Sequence, residues 1–327
     1  MKAVVLREFG GPAALEVTEW PDPEPPPGWV VIELRAAALN WHDVLVRRGG
    51  HKVRLPQILG ADGAGVRRDA GEEVIVLPSL AWGDDDRFPS PSFEILGDHT
   101  AGTYAELVAV PEANVFPRPA HLDWHEAAAL PLAGLTAYRA LFTRGGLQPG
   151  ETVLVLGAGG GVGTMAIALA HLAGARVLVT SSSLEKIERA LDLGAEGGVL
   201  YTDPEWAEHL RHAAGERGVD LVIDSIGSTW PDALSVLNGG GRLVNFGATG
   251  GDQPSVAVRP FYFGQYSILG TTMGSPRDFV GLLSLVNAHP EWHPVVHSVT
   301  PLEDAARAHA EMERQEHFGK LVLSISA

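Results

Sequence analysis

The chain has no cysteine, which removes disulfides, Cys-ligated zinc, iron–sulfur clusters and thiol catalysis. The absence is compatible with a reducing compartment. Positive charge is also scarce: 24 Lys and Arg against 40 Asp and Glu give a formal net charge of −16, which disfavours general affinity for nucleic acid or anionic lipid. Nor is there an unbroken apolar run. The longest apolar region, 152–179, is interrupted by a glycine cluster, His171 and Arg176, so it reads as strand, turn, helix and strand rather than a membrane span. The opening Met1-Lys2-Ala3-Val4-Val5-Leu6-Arg7-Glu8 turns charged at once, unlike a signal peptide, and a cytoplasmic location is expected. What is present, 45% hydrophobic and 20% charged residues over 327 positions, suits an ordinary globular protein with room for two domains.

The first third reads as β-rich. Strands are expected at 2–6, 15–17, 30–34, 73–77 and 104–110, with the proline-rich stretch 21–28 as a stiff connection. A short helix fits 40–48, closed by Gly49-Gly50, and 81–99, carrying Asp84-Asp85-Asp86, reads as a surface lobe. Asp123 and Glu126 have N-cap and N3 spacing for a helix start. From Val153 onward strands (153–156, 177–180, 198–200, 221–224, 243–246, 268–271) alternate with helices (162–173, 184–193, 204–214, 230–237). Repeated strand–helix units with short connections predict a doubly wound parallel sheet with right-handed crossovers. Helices at 276–288 and 304–315 and a strand at 321–325 remain to return to the first domain.

At the centre stands Val153-Leu154-Val155-Leu156 followed by Gly157-Ala158-Gly159-Gly160-Gly161-Val162-Gly163. An unalternating apolar strand, a glycine turn and a helix of small residues form a phosphate cradle, because glycine lets backbone amides approach the anion and the helix dipole favours it. The fingerprint is imperfect. Ending on Gly163 it reads Ala158-x-Gly160-x-x-Gly163, so the surrounding units give it meaning. NAD-binding sheets carry an acidic residue about 20 positions on. Here the next strand ends in Ser181-Ser182-Ser183 with Lys186 beyond, groups that suit the 2′-phosphate of NADP(H). The same serines also suit a helix cap.

Further short motifs occur in a specific order: Asn40-x-x-Asp43-x-x-x-Arg47-x-Gly49, Leu59-Gly60-x-Asp62-x-x-Gly65-Val66, Gly102-x-Tyr104-Ala105-Glu106, Ala127-Ala128-Ala129-Leu130-Pro131 before Leu135-Thr136-Ala137, Gly160-Gly161-Val162-Gly163, Val219-Asp220-x-x-x-Asp224-x-x-Gly227, Gly241-Arg242-Leu243-Val244-x-x-Gly247, and Gly319-Lys320-Leu321-Val322-Leu323. Over nearly its whole length the chain resembles the zinc-independent branch of the medium-chain dehydrogenase/reductase superfamily, the quinone oxidoreductase-like proteins. The resemblance implies a GroES-like β-rich catalytic domain (1–122 and 272–327) and an inserted Rossmann nucleotide-binding domain (123–271), with the cofactor in the cleft between them. It implies cofactor contacts at Thr136, Gly159, Gly160, Gly161, Val162, Gly163, Ser181, Ser182, Lys186, Tyr201, Phe246, Gly247, Ala248, Thr271, Thr272 and Lys320. Zinc-dependent relatives place Cys where this chain has Asn40, and His-Glu where it has Ala61-Asp62.

By the same resemblance Asn40 and Asp43 line the site, and His51 falls where many relatives have a tyrosine near the acceptor. Two readings stay open for each: Asn40 and Asp43 also suit local turn caps, and His51 an exposed loop. Trp41 and Phe261-Tyr262-Phe263 are candidates for an aromatic wall, with core packing the other role for the cluster. Histidines at 121, 125, 289, 293 and 297 are candidate substitute metal ligands, but Pro290 and Pro294 interrupt the second set. No metal is expected. Without a Lewis acid, reduction of a quinone or α,β-unsaturated carbonyl by NADPH is the expected chemistry. Alternatives are an enoyl-thioester reductase, a zinc-type alcohol dehydrogenase, and a low-turnover nucleotide-binding protein. A homodimer is expected by family analogy.

Overall fold

A computed structural model of the chain describes residues 1–51 and 53–325. In chain order it begins with strands β1 (Lys2–Leu6), β2 (Leu15–Glu19) and β3 (Trp29–Ala38), helix α1 (Trp41–Arg47), and strands β4 (Gln57–Ile58), β5 (Asp62–Arg67), β6 (Glu73–Val76), β7 (Ser79–Leu80), β8 (Glu94–Ile95), β9 (Leu107–Pro111) and β10 (Val115–Pro117). Helices α2 (Trp124–Ala129) and α3 (Pro131–Tyr138) follow. Then come β11 (Thr152–Leu156), α4 (Gly161–Leu172), β12 (Arg176–Ser181), α5 (Leu184–Asp192), β13 (Gly197–Leu200), α6 (Trp206–Ala214), β14 (Val219–Asp224), α7 (Trp230–Ser235), β15 (Leu237–Asn245), α8 (Val258–Phe263) and β16 (Ser267–Gly270). The chain closes with α9 (Pro276–Ala288), β17 (Val296–Pro301), α10 (Ala305–Arg314) and β18 (Lys320–Ser324).

Two compact units result, Met1–Leu135 with Gly274–Ala327, and Thr136–Met273. The first boundary falls 13 residues beyond the expected 122/123, inside α3. The reason is α2: its face Ala127, Ala128 and Ala129 is buried, and it packs on β3, β5 and β18 of the first unit. The first unit holds a mixed sheet in the order β10-β6-β5-β3-β18-β17, with β9 also on β3, and a smaller sheet β2-β1-β4. Alternating β3 buries Val30, Ile32 and Leu34 in a core shared with Leu6, Tyr104 and Val108.

The second unit is a six-stranded parallel sheet in the order β13-β12-β11-β14-β15-β16. That order reverses between β11's two neighbours, the switch point at which open α/β sheets bind ligands beyond the strand ends. All of β11 is buried, as its unalternating Thr152–Leu156 requires of a strand covered on both faces. Among the described residues no helix is long and apolar enough to cross a membrane.

Local differences from expectation have simple causes. Helix α6 starts at Trp206 rather than 204, because the Asp203 carboxylate accepts from the Glu205 N–H and forms a separate turn. Strand β15 begins at Leu237, since its Gly239-Gly240-Gly241 run is taken up by a register shift against β14. Residues 258–263 form α8, with no buried residue; Tyr262 is 50% and Phe263 72% exposed, so this aromatic cluster does not pack a core.

Candidate functional site

Helix α1 fixes the first part of the site. Its N-cap Asn40 leaves β3 in extended conformation, and the Asn40 backbone N–H donates to Asp43 Oδ2 at 2.8 Å. Both side chains are buried, 6% and 2% exposed. The cap role left open for Asp43 is therefore occupied, but its carboxylate does more. The Tyr104 hydroxyl donates to the same oxygen at 3.1 Å, and His309 Nε2 lies 3.2 Å from Tyr104. Arg47 Nε donates to His309 Nδ1 at 3.3 Å and its guanidinium pairs with Glu313. Arginine only donates, so His309 Nδ1 is the acceptor and Nε2–H the donor, and the chain of donors runs one way to Asp43. Burial raises the Asp43 carboxyl to about 6 despite the opposing His42 charge and the hydrogen bonds from Asn40 and Tyr104. Burial and the Arg47 charge lower His309 to about 3.

The Asn40 side chain points into a second cluster, where three strand ends meet. Ala38 pairs with Asp62 and with Val322, which brings the ends of β3, β5 and β18 together. Asn40 Nδ2 donates to Asp62 Oδ2 at 2.9 Å, and Lys320 Nζ donates to Asp62 Oδ2 at 2.9 Å, Asn40 Oδ1 at 2.6 Å and the Leu39 carbonyl at 2.8 Å. Asp62 Oδ1 accepts the Leu132 N–H at 2.7 Å. Lys320, expected on the cofactor, is 2% exposed and has three acceptors for its three hydrogens inside this cluster.

Beside these, His42 Nε2 lies 2.6 Å from Asp98 Oδ1, and the His51 ring meets the His42 ring edge-on at 4.6 Å. Burial works against a charged His42, but the Asp98 hydrogen bond and charge outweigh it and raise its pKa; His51 is lowered by burial and by the charge of His42. His51 is exposed, as its loop reading required, yet it stands next to a half-buried pair that no sequence pattern marks. Asp98 lies 56 residues from His42, and no local spacing joins them.

In the second unit, α4 starts at Gly161 with Gly160 as N-cap and no side chain capping its first turn. The backbone donors of Gly161, Val162 and Gly163 are thus offered to an anion. A Cβ on Gly157 or Gly160 would meet nothing within 4 Å, whereas one on Gly163 would stand 2.4 Å from the Gly157 carbonyl oxygen. The turn is open outward and tight inward, which fits a pyrophosphate held above it. Gly159 lies in the same turn. At the ends of β12 and β13, Ser181 pairs with Leu200 and its carbonyl accepts the Tyr201 N–H at 3.0 Å, so Ser181, Ser182 and Tyr201 come together. Ser183 does cap α5, accepting from Lys186 N at 3.5 Å, which realises the capping role for that serine.

Buried Asp224 builds the next loop: it accepts from Ile226 N, Gly227 N, Trp230 Nε1 and Asn245 Nδ2, and Asn245 Nδ2 also reaches the Gly247 carbonyl at 2.7 Å. Phe246, Gly247 and Ala248 follow at the end of β15, while the Thr271 N–H bonds to Asn245 O at 2.9 Å, with Thr272 beyond. The Thr271 hydroxyl is buried and has no partner, a donor available to a bound group. Thr136 is 5% exposed in α3. These groups fit a dinucleotide.

Among the described residues no group of three or more His, Asp or Glu is arranged to hold a metal ion. Three of the candidate histidines each pair with one carboxylate, His293 with Glu126 at 3.0 Å, His289 with Glu291 at 3.1 Å and His297 with Glu311 at 3.4 Å.

Comparison with known proteins agrees with this geometry. Residues 26–120 match the alcohol dehydrogenase GroES-like domain and 161–288 the zinc-binding dehydrogenase family. The quinone oxidoreductase of Lama guanicoe is 31% identical, over 99% of this chain and 97% of the relative. A crystal structure of an NAD-dependent alcohol dehydrogenase is 41% identical with a TM-score of 0.94, covering 100% of both chains. A mycobacterial protein solved in complex with NADPH is 27% identical with a TM-score of 0.84, over 99% of this chain and 100% of that one. The GroES-like unit, the Rossmann-type sheet with its phosphate turn and these full-length relatives make the chain a member of the medium-chain dehydrogenase/reductase superfamily, a nucleotide-dependent oxidoreductase.

Proposed function

We propose that the chain reduces quinones or α,β-unsaturated carbonyl compounds with NADPH and without a catalytic zinc. The observation that carries this reading is the triangle of Asn40, Asp62 and Lys320: a carboxamide and a carboxylate, both bound to a buried ammonium, at the positions where the resemblance implies metal ligands in zinc-dependent members. A fixed cation already fills the coordination that a divalent ion would need. Alcohol oxidation without zinc leaves an alkoxide unstabilised, whereas reduction of a conjugated carbonyl asks only for hydrogen-bond donors and a proton. The reduced nicotinamide, when bound, supplies the hydride. Asn40 meets the charge that develops on the acceptor oxygen, and His51, whose ring lies edge-on against that of the Asp98-paired His42, is the proton donor.

The NADPH preference rests on the end of β12, which carries Ser181 and Ser182 rather than a carboxylate, with Tyr201 beside them and Lys186 in the first turn of the following helix. A second reading, NAD-dependent alcohol oxidation, is favoured by the 41% identical alcohol dehydrogenase. The decisive experiment follows the oxidation of NADPH and NADH with benzoquinone, an enone, crotonyl-CoA and an aldehyde, with and without a chelator. NADPH oxidation by the quinone or enone, unaffected by chelator, is expected. Preference for NADH, or activity lost on chelation, overturns the proposal; crotonyl-CoA as the best acceptor selects a thioester reductase, and no turnover a nucleotide-binding protein. The same reading includes a homodimer joined at the free edge of the second unit's sheet.

A further inference from the structure

Lys320 is a buried charge of the first unit's site to which the proposed hydride and proton transfers give no part of its own. Its side chain is 3% exposed and that of Asp62 fully buried, so neither contact is a loose surface pair. An ammonium has only hydrogens to give, and it faces Asn40 across 2.6 Å; the carboxamide oxygen must therefore point at Lys320 and the amide nitrogen at Asp62. A flipped amide would set N–H against N–H and oxygen against carboxylate. The orientation of Asn40 is thus dictated by its two charged neighbours. One Nδ2 hydrogen goes to Asp62 at 2.9 Å, and the other lies outside the triangle. Asp62 in turn is held by the Leu132 N–H and by the Thr103 hydroxyl on its backbone carbonyl, at 2.7 Å each.

We infer that Lys320 is a positioning residue for hydride reduction: it locks the Asn40 carboxamide with one N–H presented to the acceptor and polarises that amide, so that its positive charge acts on the acceptor's carbonyl or quinone oxygen at one remove. The inference rests on the reading that the acceptor is a quinone or conjugated carbonyl. In that reaction the acceptor carbon gains the hydride with its electron pair, the displaced π electrons place negative charge on the oxygen, and a proton then completes the product. A donor whose carbonyl end is bound to a cation is a stronger donor at the moment that charge appears, and a fixed donor needs no reorganisation. The role differs from direct contact with the cofactor, for which the ammonium has no hydrogen to spare.

The test uses full-length Lys320→Met and, because that change leaves the Asp62 carboxylate buried without its cation, the charge-neutral pair Asp62→Asn/Lys320→Met. Each is also placed on Asn40→Ala. Expected are a cooperative melt for the neutral pair, NADPH affinity by fluorescence titration within about two-fold of the parent, and kcat for enone or quinone reduction lower by about 100-fold, the size of losing one preorganised donor. On Asn40→Ala the Lys320 change is expected to cost less than about three-fold more, since residues that act as a unit are not additive. Weakened NADPH binding with kcat retained makes Lys320 a cofactor contact and overturns the inference. So does unchanged kcat in the folded neutral pair, or an equal loss on Asn40→Ala, which would mean that Lys320 acts independently of Asn40. A wild-type protein that turns over neither acceptor overturns the functional reading itself, and the inference falls with it.

Discussion

Asp43 and His309 are joined through one tyrosine hydroxyl, and folding inverts the order in which they take up a proton. Their ordinary values, 3.8 for the carboxyl and 6.5 for the imidazole, become about 6 and about 3 in the folded chain. At pH 5 the unfolded chain carries the proton on His309 and the folded chain carries it on Asp43. For His309, depressed by burial and Arg47, stability is full above 6.5 and is lost as pH falls toward 3. For Asp43, raised by burial, stability is full below 3.8 and is lost as pH rises through 6. Between about pH 4 and 6 both states bind one proton across the pair and the two slopes cancel. Asp43→Asn removes one side of that balance. The variant is expected to lose about 1.4 kcal/mol per pH unit relative to wild type on going from about pH 6 to 4, measured by urea unfolding at several pH values; parallel profiles would refute it. Asn40 and Asp43 were legible at this scale through the Asn40-x-x-Asp43-x-x-x-Arg47-x-Gly49 motif and the resemblance it carries. Arg47 with His309 and Lys320 with Asp62 were not, since the partners lie 262 and 258 residues apart and only the meeting of strand ends reveals them.

Elements that carry their own punctuation were readable from the sequence: Asp123 with Glu126 forms the capping box that starts α2, and α9 spans the expected Pro276–Ala288, its start fixed by a Ser275–Asp278 box that the structure reveals. Those set by tertiary pairing were not, such as the first half of β15, expected only from 243, and α8, whose Pro260 and short length hide it. The β11–α4 turn joins both kinds, because its glycines do different work. At Gly163 a Cβ meets backbone at 2.4 Å, while at Gly160 it meets nothing. Gly163→Ala is therefore expected to force the helix off the strand and lower stability by about 1–3 kcal/mol, weakening dinucleotide binding as well. Gly160→Ala is expected to leave the melt nearly unchanged yet reduce dinucleotide affinity by about ten-fold or more, since the added methyl occupies the space in which the phosphate approaches the amides. Thermal melts beside fluorescence titration of NADPH separate the two; equal effects on both readouts would show that the turn has no open side for a phosphate.

For the whole molecule, the sheet order leaves β16 as an outer strand, whose Gly270 carbonyl accepts from Arg144 Nε at 3.0 Å, and the helix before it is apolar outward. Val258, Tyr262 and Phe263 are 72, 50 and 72% exposed, and the last two rings pack together at 4.8 Å. An open edge next to such a patch is a liability in a monomer and a ready interface for a second copy. Two copies each carrying −16 repel one another, so the association must come from apolar burial and strand pairing rather than charge. That fixes the sign of a salt response. Added salt screens the repulsion and leaves the apolar contact intact, so the proposed dimer tightens as salt rises, the reverse of an interface held by ion pairs. Light scattering after size exclusion is expected to give twice the 34.7 kDa chain mass for wild type, and dissociation on dilution to be greater at low salt. Phe263→Asp sets a further negative charge in the patch without touching a buried side chain, and it is expected to yield a folded monomer with an unaltered melt at low concentration. A wild-type monomer at every salt concentration, or a Phe263→Asp variant that remains dimeric, would place any self-association elsewhere on the surface.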